Sequence, residues 1–155
     1  MTIRLFEERD AQEVADMIAK TLRTTNIKDY SREYIENDVQ KLNPQRLIKR
    51  SKWMHFYVCV VDNKIAGCGG IGPYYDKQDE SSLFTIFVLP EYQGQGIGRK
   101  IIETLENDEF FLRAKRIEIP ASITACQFYI KMGYSYKNGI DKIDEEQLYR
   151  LEKFK

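Results

Sequence analysis

The stretch that decides the fold is Val88–Lys100, VLPEYQGQGIGRK, in which an apolar run is followed by three glycines on alternate positions. Glycine is costly to order and supports a helix poorly, so this spacing indicates a need for bare backbone. Glycines between a strand and a helix present free N–H groups beside the positive helix end, where phosphate oxygens bind well. An ordinary glycine-rich turn at a helix start is the alternative interpretation.

Two well-known phosphate-binding motifs do not fit this spacing. A P-loop needs Gly-Lys followed by Ser or Thr, whereas Gly98 is followed by RKI. A dinucleotide-binding fingerprint needs GxGxxG, but counted from Gly94 the third glycine falls one position too early. That fingerprint also belongs in an early βαβ unit, and several predicted strands precede this stretch. The pattern that remains is QxxGxG, with Gln93, Gly96 and Gly98.

Periodicity along the chain predicts a mixed α+β domain over residues 1–155, with a mostly antiparallel twisted sheet flanked by helices. Predicted strands occupy residues 2–6, 53–61, 65–71, 83–89, 116–119, 134–137 and 148–154. Predicted helices occupy residues 10–22, 31–42, 97–105 and 122–132. Pro120 is expected to end its strand, and the glycines of residues 67–70 indicate a bulge or a close backbone approach.

Composition excludes several classes of protein. The 155 residues carry a formal net charge of zero, which gives no global field for nucleic acid or an anionic membrane. Three cysteines without a CxxC spacing and one histidine argue against a disulfide scaffold or a zinc site. The N-terminal MTIRLFEERD lacks the apolar run of a signal peptide. We therefore expect a cytoplasmic protein, and the sequence leaves a homodimer open.

Several pieces of the sequence resemble the GNAT superfamily of N-acetyltransferases. VLPEYQGQGIG is similar to the segment that carries the family's [QR]xxGx[GA] motif after the fourth strand, IAGCGGI is similar to its third strand, and ACQFYIKMGY to its late helix. The likeness covers residues 1 to about 136 and is weakest at residues 23–52, which usually shape the acceptor pocket. It implies acetyl-CoA as co-substrate and an amine, on a small molecule or a peptide, as acceptor.

The resemblance also implies a set of cofactor-binding residues. They are Ile86, Phe87, Val88, Gln93, Gly94, Gln95, Gly96, Ile97, Gly98, Arg99 and Ser122. In this family, strands four and five splay apart, the backbone near Val88 binds the thioester and the pantetheine arm, and the glycine loop binds the pyrophosphate. For Arg99 the alternative is a solvated side chain, and for Ile86–Val88 a core position. At Ser122, where the family often has asparagine, capping of the next helix is the favoured alternative.

Tyr129 and Glu80 are the candidate catalytic residues. Tyr129 matches the family's F-Y position, and a phenol is a competent donor for the departing thiolate; a core aromatic is the alternative. Some members carry a glutamate at the position of Ser82, which cannot act as a base here. Glu80 or Asp79, acting directly or through water, is the substitute, and a solvated acidic loop is the alternative.

The predicted reaction is direct acetyl transfer to a primary amine in a ternary complex. A catalytically weak or inactive acyl-CoA-binding sensor is the main rival, because Ser82 and Ser122 depart from the family pattern. A nucleotide-dependent enzyme is a third hypothesis. Residues 20–52 are locally basic, which mildly disfavours polycationic acceptors.

Overall fold

The computed structural model describes residues 1–155 and contains one seven-stranded sheet with helices on both faces. The strands are β1 (Thr2–Leu5), β2 (His55–Val61), β3 (Lys64–Pro73), β4 (Glu80–Val88), β5 (Arg116–Ser122), β6 (Ser135–Tyr136) and β7 (Leu148–Phe154). The helices are α1 (Ala11–Thr24), α2 (Arg32–Lys41), α3 (Pro44–Arg50), α4 (Ile97–Glu106), α5 (Glu109–Leu112) and α6 (Cys126–Lys131). The strand order is β1-β2-β3-β4-β5-β7-β6, and only the β4–β5 pair is parallel. The predicted mixed α+β fold is confirmed.

The sheet separates two apolar cores. On one face, the stripe of α1, with Val14, Ile18 and Leu22, packs with residues of α2 and α3 against β2 and β3. On the other face, α4 contributes a stripe at Ile97, Ile101, Ile102 and Leu105, which packs with α6 against β3, β5 and β7. Apolar residues three and four apart share one face of a helix, which is why these segments bury one side.

The glycines of β3 let α4 lie directly on the sheet. The pairing register of β3 with β4 shifts between Cys68 and Gly70, so the predicted bulge is present. A Cβ at Gly69 would lie 2.6 Å from Cγ2 of Ile101, so the predicted close approach is present too. This packing positions the N-terminus of α4 beside the end of β4.

The structure moves the predicted end of β5 and adds two short helices. Strand β5 was predicted to end at Pro120, but it continues to Ser122. Beyond Glu118 this strand pairs only with β7, and its edge towards β4 is open. Pro120 has no N–H, and on an open edge this costs no hydrogen bond of the sheet. Helix α3 lies outside the predicted helices, and its N-cap is Asn43, whose side chain accepts from the Arg46 N–H. Helix α5, with Asp108 as its N-cap, is too short to produce a periodic signal in the sequence.

Candidate active site

A wedge opens between β4 and β5 in the middle of the sheet. The two strands pair only at residues 80–82 of β4 and 116–118 of β5, and from Leu83 onward they separate. A cavity of about 870 Å³ fills the wedge and is lined by both strands, the glycine loop, α1, α2 and the start of α6. The separation of the fourth and fifth strands that the family resemblance implied is therefore present.

Strand β4 is distorted where it borders the wedge. Thr85 has φ 55°, a left-handed conformation that is unfavourable for a β-branched residue. Its carbonyl oxygen accepts from Cys68 Sγ at 3.2 Å, and its hydroxyl oxygen accepts from Nη1 of Arg50 at 3.1 Å. Because a bulge re-aims the backbone, the polar groups of this part of β4 are turned away from regular pairing, next to the cavity.

The glycine loop ends β4 and begins α4 with unpaired amides. Gly94 and Gly96 have φ 79° and 84°, and a side chain there would be strained although the space around both is open. The N–H groups of residues 94–99 donate to no acceptor within the chain. Six free amides at the positive end of a ten-residue helix form a strong anion-binding surface.

The structure brings most of the predicted cofactor residues to this cavity. Its lining includes Ile86, Phe87, Val88, Gln93, Gly94, Gly96, Ile97, Gly98, Arg99 and Ser122. Gln95 is outside the lining, with its amide donating to the Glu91 carbonyl at 3.4 Å. Gln93 ties the loop to the strand, because its Nε2 donates to the Val88 carbonyl at 3.0 Å. The hydroxyl of Ser122 also accepts from the Ala125 N–H at 3.1 Å, the capping contact that the sequence offered as an alternative.

Tyr129 reaches the cavity from α6. The residue is 5% exposed, and its hydroxyl makes no hydrogen bond to the chain; since no fully buried side-chain polar atom lacks a partner, this oxygen keeps accessible surface in the cavity. Burial raises the pKa of this hydroxyl above its ordinary value, so the group stays protonated at neutral pH. A phenol with an unused proton, directed into the wedge, can protonate a leaving group there.

Glu80 does not reach the cavity. It lies at the paired, N-terminal end of β4, and its carboxylate accepts from Nη1 of Arg116 at 2.8 Å. Arg116 also pairs with Glu118 and Glu152, which makes this a structural ion-pair network. The structure therefore places Glu80 outside the cavity lining, where its carboxylate is engaged with Arg116.

Five charged residues that the sequence analysis did not assign also line the cavity, namely Asp38, Lys41, Arg50, Glu146 and Arg150. Glu146 and Arg150 pair with each other. Asp38 of α2 has no hydrogen-bond or ion-pair partner for its carboxylate, and burial raises its pKa above the ordinary range. Arg50, the last residue of α3, lines the same cavity. In the sequence, Asp38 and Arg50 are two of many charged residues within residues 23–52, the region least similar to the family, and no motif distinguishes them.

Helix α2, which carries Asp38, and Tyr30 just before it are hydrogen-bonded to the segments next to β5 and β7. Tyr30 and Tyr34 stack at 4.3 Å between ring centroids. The Tyr30 hydroxyl donates to the Gln147 carbonyl at 2.8 Å and accepts from the Ile123 N–H at 2.8 Å, while Tyr34 donates to the Glu146 carbonyl at 2.7 Å. These contacts hold α2 over the wedge and close the side of the cavity opposite the glycine loop.

Comparison with known proteins places this architecture in a defined class. The sequence model of the acetyltransferase (GNAT) domain matches residues 52–136, more than half of the chain. The protein belongs to the GNAT acetyltransferase family, and membership supports acyl transfer as its general activity. No curated protein matches the sequence significantly.

Solved structures share the whole fold at low sequence identity. The PaiA N-acetyltransferase of Thermoplasma acidophilum, in complex with coenzyme A, has a TM-score of 0.83 at 20% identity, over 99% of this chain and 98% of its own. A GCN5-related N-acetyltransferase of Rhodopseudomonas palustris has a TM-score of 0.79 at 19% identity, over 99% of this chain and 95% of its own. A GNAT family acetyltransferase of Brucella melitensis, in complex with acetyl-CoA, has a TM-score of 0.63 at 19% identity, over 86% and 82%.

None of the helices combines the length and the apolar composition that a bilayer span needs.

Proposed function

We propose that the protein transfers the acetyl group of acetyl-CoA to a primary amine, by direct attack within a ternary complex. The observation that carries the proposal is the continuous cavity, which joins the free amides of the glycine loop to the unpaired hydroxyl of Tyr129 through the wedge between β4 and β5. Two structures of the same fold are complexes with coenzyme A or acetyl-CoA, which is in accord with this donor.

The donor would be held by backbone rather than by side chains. The pyrophosphate fits the N–H groups of residues 94–99, and Arg99, exposed and without an ion-pair partner, adds a charge beside them. The pantetheine arm and the acetyl carbonyl fit the unpaired edge of β4 at residues 86–88. An N–H donated there to the carbonyl oxygen would stabilise the charge that develops as the amine attacks.

The bond changes balance with two proton transfers. The amine nitrogen forms a bond to the thioester carbonyl carbon, the carbon–sulfur bond breaks, and the thiolate takes the Tyr129 proton. The attacking nitrogen releases one proton to solvent and Tyr129 regains one from solvent, so the site returns to its starting charge. Tyr129 is the catalytic acid of the proposal.

Asp38 is the residue we assign to the amine. A lysine-like ammonium is neutral in only about one part in a thousand at pH 7, which costs roughly 4–5 kcal/mol. An unpaired carboxylate in the cavity wall attracts the ammonium and can take its proton directly or through water. Burial raises the Asp38 pKa, which makes the carboxylate a better base than an ordinary solvated one.

The cysteines favour direct transfer over an acyl-enzyme. All three are buried and lie outside the cavity lining, and burial raises the pKa of each thiol. A thiol attacks as its thiolate, so these groups are poor nucleophiles at neutral pH.

The proposal is tested by measuring thiol release from acetyl-CoA across a panel of primary amines, with acetylated product identified by mass spectrometry. We expect amine-dependent release. Tight acetyl-CoA binding without turnover on any amine would favour the sensor. A melting temperature that rises with ATP or NAD but not with coenzyme A would favour a nucleotide-dependent enzyme.

A further inference from the structure

Arg50 is a half-buried cation without an acidic partner. Its guanidinium carries five donors, and the single hydrogen bond it makes is the one from Nη1 to the neutral hydroxyl of Thr85. Arg50 takes part in none of the ion pairs within the chain, although Asp38 lies near enough to act on it electrostatically. Burial lowers the pKa of Arg50, the charge of Arg46 lowers it further, and the charge of Asp38 acts in the opposite direction.

The other arginines that are not fully exposed are all neutralised. Arg4 pairs with Asp10 at 2.8 Å, Arg150 pairs with Asp144 at 2.7 Å, and Arg116 pairs with Glu152 at 2.8 Å. The chain thus pairs three of its four partly buried guanidinium groups with carboxylates, including Arg150 of the cavity wall, and leaves Arg50 without an ion pair. Four unused donors at the edge of a substrate cavity are available to a ligand anion.

Neighbouring cationic side chains increase the electrostatic attraction between Arg50 and an anion. A second groove of about 500 Å³ adjoins the cavity and shares Arg50 and Phe84 with it. This groove also contains Arg46, Lys49 and the indole of Trp53, which is 47% exposed, and contains no carboxylate. Arg50 lies where the groove meets the cavity, so an anionic group placed there faces three cations.

We infer that the acceptor is an amine that also carries an anionic group, with the ammonium directed to Asp38 and the anion bound by Arg50. The inference rests on the proposed function and narrows its acceptor. A carboxylate and a phosphonate share the chemistry that a guanidinium fork recognises, so both belong to the test. A polycation is disfavoured because its second ammonium would meet Arg50 and its cationic neighbours.

Binding of chain-matched ligands tests this inference independently of turnover. The labelled protein, saturated with coenzyme A, is titrated by NMR with 4-aminobutanoate, 3-aminopropylphosphonate, butylamine and butane-1,4-diamine. We expect an acidic amine to bind about tenfold or more tightly than butylamine, and the diamine to bind weakest. The better of the two acids identifies the anionic group.

Substitutions assign the preference to Arg50. Arg50→Gln should reduce the ratio of acidic-amine to butylamine affinity about tenfold, and Arg50→Lys should retain part of it because the charge remains but the fork is lost. The ratio cancels any general effect of losing the contact with Thr85. Arg32→Gln, an exposed arginine of α2 outside both cavities, is the matched control and should leave the ratio unchanged.

The inference is overturned if the diamine binds best, if the preference survives in Arg50→Gln, or if that variant weakens coenzyme A binding while acceptor binding is unaltered. Absence of acetyl transfer to any amine, with the binding preference intact, would instead refute the proposed reaction and leave the anion site standing.

Discussion

Replacement of Tyr129 by phenylalanine removes one oxygen atom from the centre of the proposed mechanism. The Tyr129 hydroxyl has no hydrogen-bond partner within the chain, and its ring packs against the ring of Phe128 with centroids 5.5 Å apart. Phenylalanine fills the same volume. The substitution therefore deletes a proton donor without opening a cavity or leaving a partner unsatisfied.

The expected losses in stability and in rate differ sharply. With no internal hydrogen bond lost, the free energy of unfolding should change by less than about 1 kcal/mol. A positioned general acid contributes roughly 10²–10⁴-fold to the rate, so kcat should fall by that factor, equivalent to about 3–5 kcal/mol of activation free energy. The KM for acetyl-CoA should change little, because the backbone amides that hold the pyrophosphate are untouched.

Tyr134→Phe is a matched control for this variant. Tyr134 is also buried, but it lies outside the cavity lining, and its hydroxyl donates to Glu106 at 3.0 Å. Removing that hydrogen bond to a carboxylate should lower the free energy of unfolding by about 1–2 kcal/mol and leave kcat unaltered. The two variants should therefore show opposite patterns.

The assay is thiol release at saturating acetyl-CoA and amine, combined with chemical unfolding of both variants. Wild-type kcat in Tyr129→Phe would refute the role of Tyr129 as acid. A large loss of stability in the same variant would show that the hydroxyl serves the core, contrary to its lack of an internal partner.

Substitutions at Asp38, Gly69 and Asp10 test the amine site, the packing of α4 on the sheet and a buried ion pair. Asp38→Asn should lower kcat/KM for the amine about 10–100-fold at saturating acetyl-CoA because it removes the only unpaired carboxylate of the cavity wall, and an unchanged value from pH 6 to 9 would exclude Asp38 as the amine's partner. Gly69→Ala should lower the free energy of unfolding by about 1–3 kcal/mol, since the new Cβ meets Ile101 at 2.6 Å; an unchanged denaturation midpoint would contradict this packing. Asp10→Asn should cost about 1–3 kcal/mol at neutral pH, because the Arg4 guanidinium lowers the pKa of this buried carboxyl. Since a lowered pKa stabilises the folded state above the unfolded value, the difference between wild type and Asp10→Asn should shrink as the pH falls below about 4, and a difference that persists in acid would refute the ion pair.

The sequence predicted the glycine loop well because its signal is local. The spacing of Gln93, Gly96 and Gly98 follows from what a strand–turn–helix junction needs, and the neighbouring residues complete it. The glycines of β3 likewise predicted a bulge and a close approach, and the structure has both. What these residues bind stays a prediction until a ligand is measured.

Boundaries failed where the structure depends on partners distant in sequence. Pro120 was expected to end its strand, but whether a proline is tolerated depends on which edge of the strand is paired, and β5 is open on that side. Glu80 was predicted as a base because it lies just before Ser82, where some family members carry a glutamate, whereas the β4–β5 pairing places it beside Arg116.

By itself, then, the sequence determined the order of the strands and of the four longer helices with their apolar stripes, and the strand–glycine–helix junction, because periodicity, glycine spacing and turn chemistry are properties of neighbouring residues. Only the tertiary structure decided which charges meet the substrate cavity. Asp38 and Arg50 belong to two different helices and become a pair of cavity groups because α2 and α3 pack over the wedge. The role of a charged side chain depends on how deeply it is buried and on whether an opposite charge lies beside it, and both are set only when the chain folds.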